Sequence, residues 1–100
     1  PADQPIVAAV AVVQIAGDSV EQARVALTGA WSEPVRLAQA PADLVGGPLD
    51  VDRIQSVADA VEVEVAPEGD FRGSEEYRRA MAGVLTRRAL AHCLEQGEGS

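Results

Sequence analysis

The residues of this chain best able to do chemistry lie between Asp70 and Leu90, in "DFRGSEEYRRAMAGVLTRRAL". That stretch holds Arg72, Arg78, Arg79, Arg87 and Arg88, in a chain with eight basic residues, none of them lysine, against sixteen Asp and Glu and a formal net charge of −8. Guanidinium groups gathered on one side would hold a phosphate or follow a nucleic-acid backbone. On a helix with Tyr77 set at zero, Arg78 points to about 100°, Arg79 to about 200°, Arg87 to about 280° and Arg88 to about 20°. Four directions do not make a cradle, so the phosphate and nucleic-acid readings fail. Arg78 and Arg79 follow Glu75 and Glu76 by three or four residues, the favourable order for helical ion pairs. Arg88 falls inside a stripe formed by Tyr77, Met81, Val84, Leu85, Ala91 and His92, which the spacing predicts to be the core face. Its stem can lie along that core with the head escaping to water, a structural role, or the head can make an interface contact. Leu90 and Leu94 lie on the opposite face, so both sides of this helix have apolar surface to cover, which points to a neighbour beyond the 100 residues.

The other reactive types are sparse. One histidine and one cysteine, His92 and Cys93, cannot supply the three or four ligands of a metal centre. His92 reads as a packed histidine on the apolar side of its helix, and Cys93 as a small hydrophobe. Ser74, in "RGSEE", lacks the following glycine of a nucleophile elbow and reads as a helix cap. The carboxylate pairs Asp50/Asp52 and Glu62/Glu64 read as a solvated face in so acidic a chain. No GxGxxG or P-loop pattern occurs, and "VGGPL" opens no phosphate turn. Trp31, beside Glu33 and Pro34, is either a packing plug or an interface anchor. Catalytic, cofactor-binding and metal-binding residues are all expected to be absent.

These residues must be positioned by a single domain, since the chain has 100 residues. Its apolar residues are mostly Ala and Val, with Trp31, Phe71 and Tyr77 the sole aromatics, so the core needs close backbone approach. The acidic balance disfavours nucleic acid and anionic lipid, and no apolar run is long enough for membrane insertion. A lone cysteine fits a reducing, cytoplasmic setting. A chain that starts at Pro1 without Met reads as a piece of a longer polypeptide.

"PIVAAVAVVQIA" is apolar on both alternating sets, which predicts a strand covered on both faces, one by helices and one by a partner or a missing domain. Gly17-Asp18 suits a tight hairpin turn into "VEQARVALTG", where Ala23, Val25 and Leu27 point inward. Val35 to Leu37 has room for a short third strand. "APADLVGGPL" predicts a brief helix with Pro41 first and Gly46-Gly47 ending it. Asp50 or Asp52 caps a second helix whose Ile54, Val57, Ala58 and Val61 recur at helical spacing, while its end, "VEVEV", fits helix and strand alike. Ser74 opens the last helix. The predicted fold is thus α+β and two-layered: a small antiparallel sheet on about three helices. The domain spans residues 1–94, with residues 95–100 a disordered tail.

Four phrases, "PIVAAVAV", "ARVALTGAWSEPVRL", "DLVGGPLD" and "DFRGSEEYRRAMAGVLTRRAL", together resemble the C-terminal domain of the FAD-binding medium subunit of molybdenum hydroxylases. That family includes aerobic carbon monoxide dehydrogenase and xanthine dehydrogenase. Their order and spacing carry the resemblance over nearly the whole chain. The resemblance implies a small antiparallel sheet on a helical bundle. It further implies FAD in two preceding domains of the parent subunit, and the molybdenum cofactor and Fe–S clusters in partner subunits. No flavin-contacting residue transfers. The scaffold pattern does: Gly29, Pro34 and Arg36 after the hairpin, and Arg72, Gly73, Tyr77 and Arg78 at the helix start. Relatives usually carry Glu where this chain has Asp43, preceded by Pro41, which leaves the length of that short helix open. The implied function is a non-catalytic structural and docking domain of an oxidoreductase subunit, inactive alone, touching the FAD-binding domains and the molybdenum and iron–sulfur subunits. The alternative is a free-standing protein-interaction module with the same fold and no redox role.

Overall fold

A computed structural model describes residues 7–31, 35–65 and 74–98. Its elements are β1 (Ala8–Ala16), β2 (Ser19–Thr28), β3 (Val35–Leu37), a 3-10 helix (Ala40–Leu44), α1 (Val51–Glu64) and α2 (Ser74–Glu98). The strands form one antiparallel sheet in the order β1-β2-β3, and the helices pack on one side of it. This is the expected α+β architecture, with the third strand present. α2 continues through residues 95–98, which the sequence reading placed in a tail.

Gly17 turns the first hairpin at φ 64, and Asp18 keeps a negative φ. Positive φ at the first central position alone is the II′ pattern, whose twist matches that of the flanking strands. Just beyond the turn, Gln14 faces Gln22 while Ile15 faces Val20, so Glu21 is the extra residue of a bulge. The bulge reverses the side-chain alternation of β2. Val20 therefore lies in the core with Val25 and Leu27, although it stands an odd number of positions, five and seven, from them. It also frees the Val20 backbone, which donates to Gly47 O (2.7 Å) and accepts from Gly46 N (2.8 Å).

The short helix after β3 is 3-10 rather than α, closed by i→i+3 bonds from Ala42 N to Gln39 O and from Val45 N to Ala42 O. Five residues are too few for an α-helix to repay its nucleation, and Pro41 stands second in the helix, not first. Asp50 is the N-cap of α1, its carboxylate accepting from Arg53 N at 2.8 Å. Ile54, Val57, Ala58 and Val61 are buried, as their spacing predicts. The ambiguous "VEVEV" is helical to Glu64; Val61 and Val65 are fully buried and Val63 is 79% exposed.

α2 corrects the sequence reading. Tyr77 is exposed, as are Arg88 and His92, and Met81 and Val84 are half-buried. The buried positions are Ala82, Gly83, Thr86 and Leu90, at about 140°, 240°, 180° and 220° on the Tyr77 wheel. The helix therefore docks through the side opposite to the predicted one, and Leu90 and Leu94 are among the residues that meet the core. Side-chain size explains the reversal. A Cβ on Gly83 would stand 3.2 Å from Ala58 O and 3.1 Å from Glu62 Oε2, so α1 and α2 approach to a distance only glycine tolerates without readjustment. Ala9, Ala11 and Val13 of β1 pack against the same core from the sheet. A seam of small residues gives closer contact than the bulky stripe would.

Candidate docking surface

Two faces of the sheet divide its residues. Inward, Val25 and Leu27 are fully buried and join Trp31, Leu44, Ile54, Val57, Val61 and Leu90 in one core. Outward, the register aligns Ala8, Thr28 and Val35 in one cross-strand row and Val10, Ala26 and Leu37 in the next. Val12 follows, opposite Arg24. Val10, Val12, Val35 and Leu37 are each more than half exposed. An antiparallel sheet with one solvated face normally carries polar residues there. Here the first two rows contain no charge. Apart from Thr28 in the first row, the polar residues stand at the hairpin end, where the Gln22 amide nitrogen, in the orientation that satisfies its neighbours, donates to Gln14 Oε1 at 3.0 Å.

The scaffold residues of the sequence reading separate into three places. Gly29 has φ 75, a conformation that favours glycine, and turns the chain out of β2. Trp31 lies beyond it, 8% exposed and part of the core cluster. The Arg36 guanidinium stands over its ring at 4.8 Å. Tyr77 and Arg88 are on the outward side of α2, and Arg78, next to Tyr77 in sequence, is half-buried. Pro34, Arg72 and Gly73 lie outside the described residues, as do the side chains of Ser74 and Glu75. Arg78, Arg79, Arg87 and Arg88 share one helix and differ in exposure, Arg87 and Arg88 exposed and the other two half-buried.

Residues 2–93 match the family model described as the CO dehydrogenase flavoprotein C-terminal domain. The chain belongs to that family. It is 35% identical over 88 residues to the carbon monoxide dehydrogenase medium chain of Afipia carboxidovorans, covering 88% of this chain and 31% of that one. It is 30% identical over 78 residues to the glyceraldehyde dehydrogenase medium chain of Sulfolobus acidocaldarius, covering 78% and 28%. Carbon monoxide dehydrogenase from Hydrogenophaga pseudoflava superposes with a TM-score of 0.73 at 33% identity, covering 83% of this chain and 29% of the other. The chain thus spans about a third or less of the length of these relatives.

This domain's one pair of adjacent glycines, Gly46-Gly47, lies against the Arg53 side chain. A Cβ on Gly47 would meet the Arg53 guanidinium, which donates through Nη1 to Pro48 O and through Nη2 to Asp43 O at 2.7 Å. Among the described residues no group of His, Cys, Asp or Glu is placed to hold a metal ion, and no helix is long and apolar enough to cross a membrane. Two organising residues escaped the sequence reading. Arg53 ties α1 to the Gly46-Gly47 bend. The Glu64 carboxylate accepts from Gln39 N (2.7 Å) and Ala40 N (3.0 Å), at the start of the 3-10 helix. No local pattern marks either, because their partners are backbone atoms, and those of Glu64 lie 25 and 24 residues away.

Cys93 is half-buried, and its thiol donates to Ala11 O at 3.7 Å. Burial raises its pKa above the ordinary 9.0. It is a protonated packing group at neutral pH, matching the reading of a small hydrophobe. His92 departs from its reading as a packed residue: it is exposed, since the face that carries it is turned outward.

Proposed function

We propose that this chain is a non-catalytic structural and docking domain of the flavin-containing subunit of a molybdenum hydroxylase. In the parent enzyme, electrons would pass from molybdenum through Fe–S clusters to FAD in the same subunit as this domain. The chain's own residues contribute a rigid brace, with the sheet, α1 and α2 closed around one core. The partners are the FAD-binding domains of the same subunit and the molybdenum and iron–sulfur subunits, in the cytoplasm. The observation that carries this reading is the apolar outer face of the sheet, with Val10, Val12, Val35 and Leu37 each more than half exposed, in a chain that matches under a third of the length of its relatives. Relatives named for carbon monoxide and for glyceraldehyde share this domain. Substrate choice is thereby assigned to another part of the enzyme.

Affinity purification of the natural polypeptide from the source cell tests the reading. Co-purification of molybdenum- and iron–sulfur-containing subunits is the expected result; recovery without them would favour the free-standing interaction module. Titrating FAD into this 100-residue chain is the second measurement. Absence of tight binding is expected, and saturation at sub-micromolar flavin would place a cofactor site where none is proposed.

A further inference from the structure

We infer that the outer face of the sheet, at the open end of the hairpin, is the seat of the flavin-bearing part of the same subunit, and that no separate subunit occupies it. The inference rests on the proposed parent subunit and assigns one of its contacts. The face is three strands wide and built from Ala8, Val10, Thr28, Ala26, Val35 and Leu37, with Val12 at its rim. Val10 is 65% exposed and Leu37 54%. A solvated sheet edge is normally protected by charge or proline, yet β1 has neither along its nine residues. Among the described residues the two rows carry no charge, and the nearest charged partner in the register on this face is Arg24, opposite Val12. The occupant therefore meets it through apolar side chains, without a charged complement.

Permanence distinguishes the same polypeptide from a separate subunit. A face this apolar is a hazard whenever it is bare, during synthesis and between assembly events. A segment joined by the backbone covers it at high effective concentration. The family's name places this domain at the C-terminal end of a flavoprotein, and relatives are about three times as long as this chain. Most of the subunit thus lies ahead of β1 in such proteins, and β1 starts at Ala8, in the outermost apolar row. The polar cluster of Gln14, Gln22 and Arg24 at the hairpin tip marks where the covered area ends.

The test compares cysteine labelling in two contexts, read peptide by peptide by mass spectrometry. Val10→Cys, Leu37→Cys and, as reference, Val63→Cys on α1 are placed in this chain at a dilution where it is monomeric, and in the full-length subunit from the source genome. Labelling at residues 10 and 37 should slow by at least about tenfold in the full subunit, with residue 63 unchanged, since covered positions react only through opening. Equal rates at residues 10 and 37 in a subunit that carries FAD would overturn the inference and leave the proposed function standing. A full-length polypeptide without flavin would overturn both. Slowing that appears only after the molybdenum subunit is added would also overturn it, because the occupant would then be another chain.

Discussion

Thr86 is fully buried on the docking side of α2, and its Oγ1 has no hydrogen-bond partner among the described residues. A buried hydroxyl left unpaired loses its water without recompense, so Thr86→Val, which keeps the shape and drops the hydroxyl, should stabilise the fold by roughly 1 kcal/mol. Urea denaturation reads this as a higher midpoint at unchanged slope; a lower midpoint would mean that the hydroxyl is satisfied. Cys93, on the same side of the helix, carries a pH dependence. Burial holds its thiol pKa above 9.0, so the native state keeps the proton longer than the unfolded chain does. The stability this contributes is complete below the unfolded value and is lost as pH rises through the folded one. Above pH 9.0 the natural chain should therefore lose stability more steeply than Cys93→Ala, measured by midpoints at a series of pH values. Parallel curves would show that the thiol is in contact with water.

At the scale of elements, the α1–α2 contact depends on the missing side chain of Gly83. Alanine there places a methyl against Ala58 O and Glu62, a tight contact partly offset by its better helix propensity, about 1 kcal/mol. Leucine has no such offset. Gly83→Leu should cost roughly 2 kcal/mol or more by overpacking, while Gly83→Ala should shift stability by less than about 1 kcal/mol in either direction. Thermal unfolding of the two variants checks the order, and a neutral leucine variant would mean that the helices can move apart freely. The same contact explains what the sequence did and did not disclose. Strands and turns were legible because alternation, Gly17-Asp18 and the Asp50 cap are local signals. The α1 face was legible because Ile54, Val57 and Val61 are both apolar and large. α2 was misread because a helical wheel weighs hydrophobicity, whereas this helix packs by size, through Ala82, Gly83 and Thr86. The β2 bulge was hidden as well, since a parity switch is visible only once both strands are aligned.

For the whole molecule, the doubly apolar character of β1 was the informative signal. It predicted two covered faces, and the structure fills one with helices and leaves the other bare. Which residues of β3 complete that face could not be read from sequence, because it depends on the pairing of Thr28 with Val35 and of Ala26 with Leu37. A bare face of this kind has a consequence for the chain in isolation. Two copies can bury their outer faces against each other, gaining about 25 cal/mol per Å2 of apolar area removed from water. This chain alone should therefore self-associate as its concentration rises, visible as a concentration-dependent mass in sedimentation or light scattering. Val10→Lys combined with Leu37→Lys should restore the monomer, since apposed faces would bring unpaired ammonium groups together. The same pair should leave the urea midpoint nearly unchanged, by analogy with other exposed positions, where substitutions shift stability by about 0.5 kcal/mol or less. Val63→Lys, also at an exposed valine but on α1, should leave self-association intact. If it dissolves the assembly as well, the contact between copies is not confined to the sheet face. If only the sheet pair does so, the contact lies on the rows of Val10 and Leu37, and the monomer it yields presents the surface that the rest of the subunit is proposed to cover.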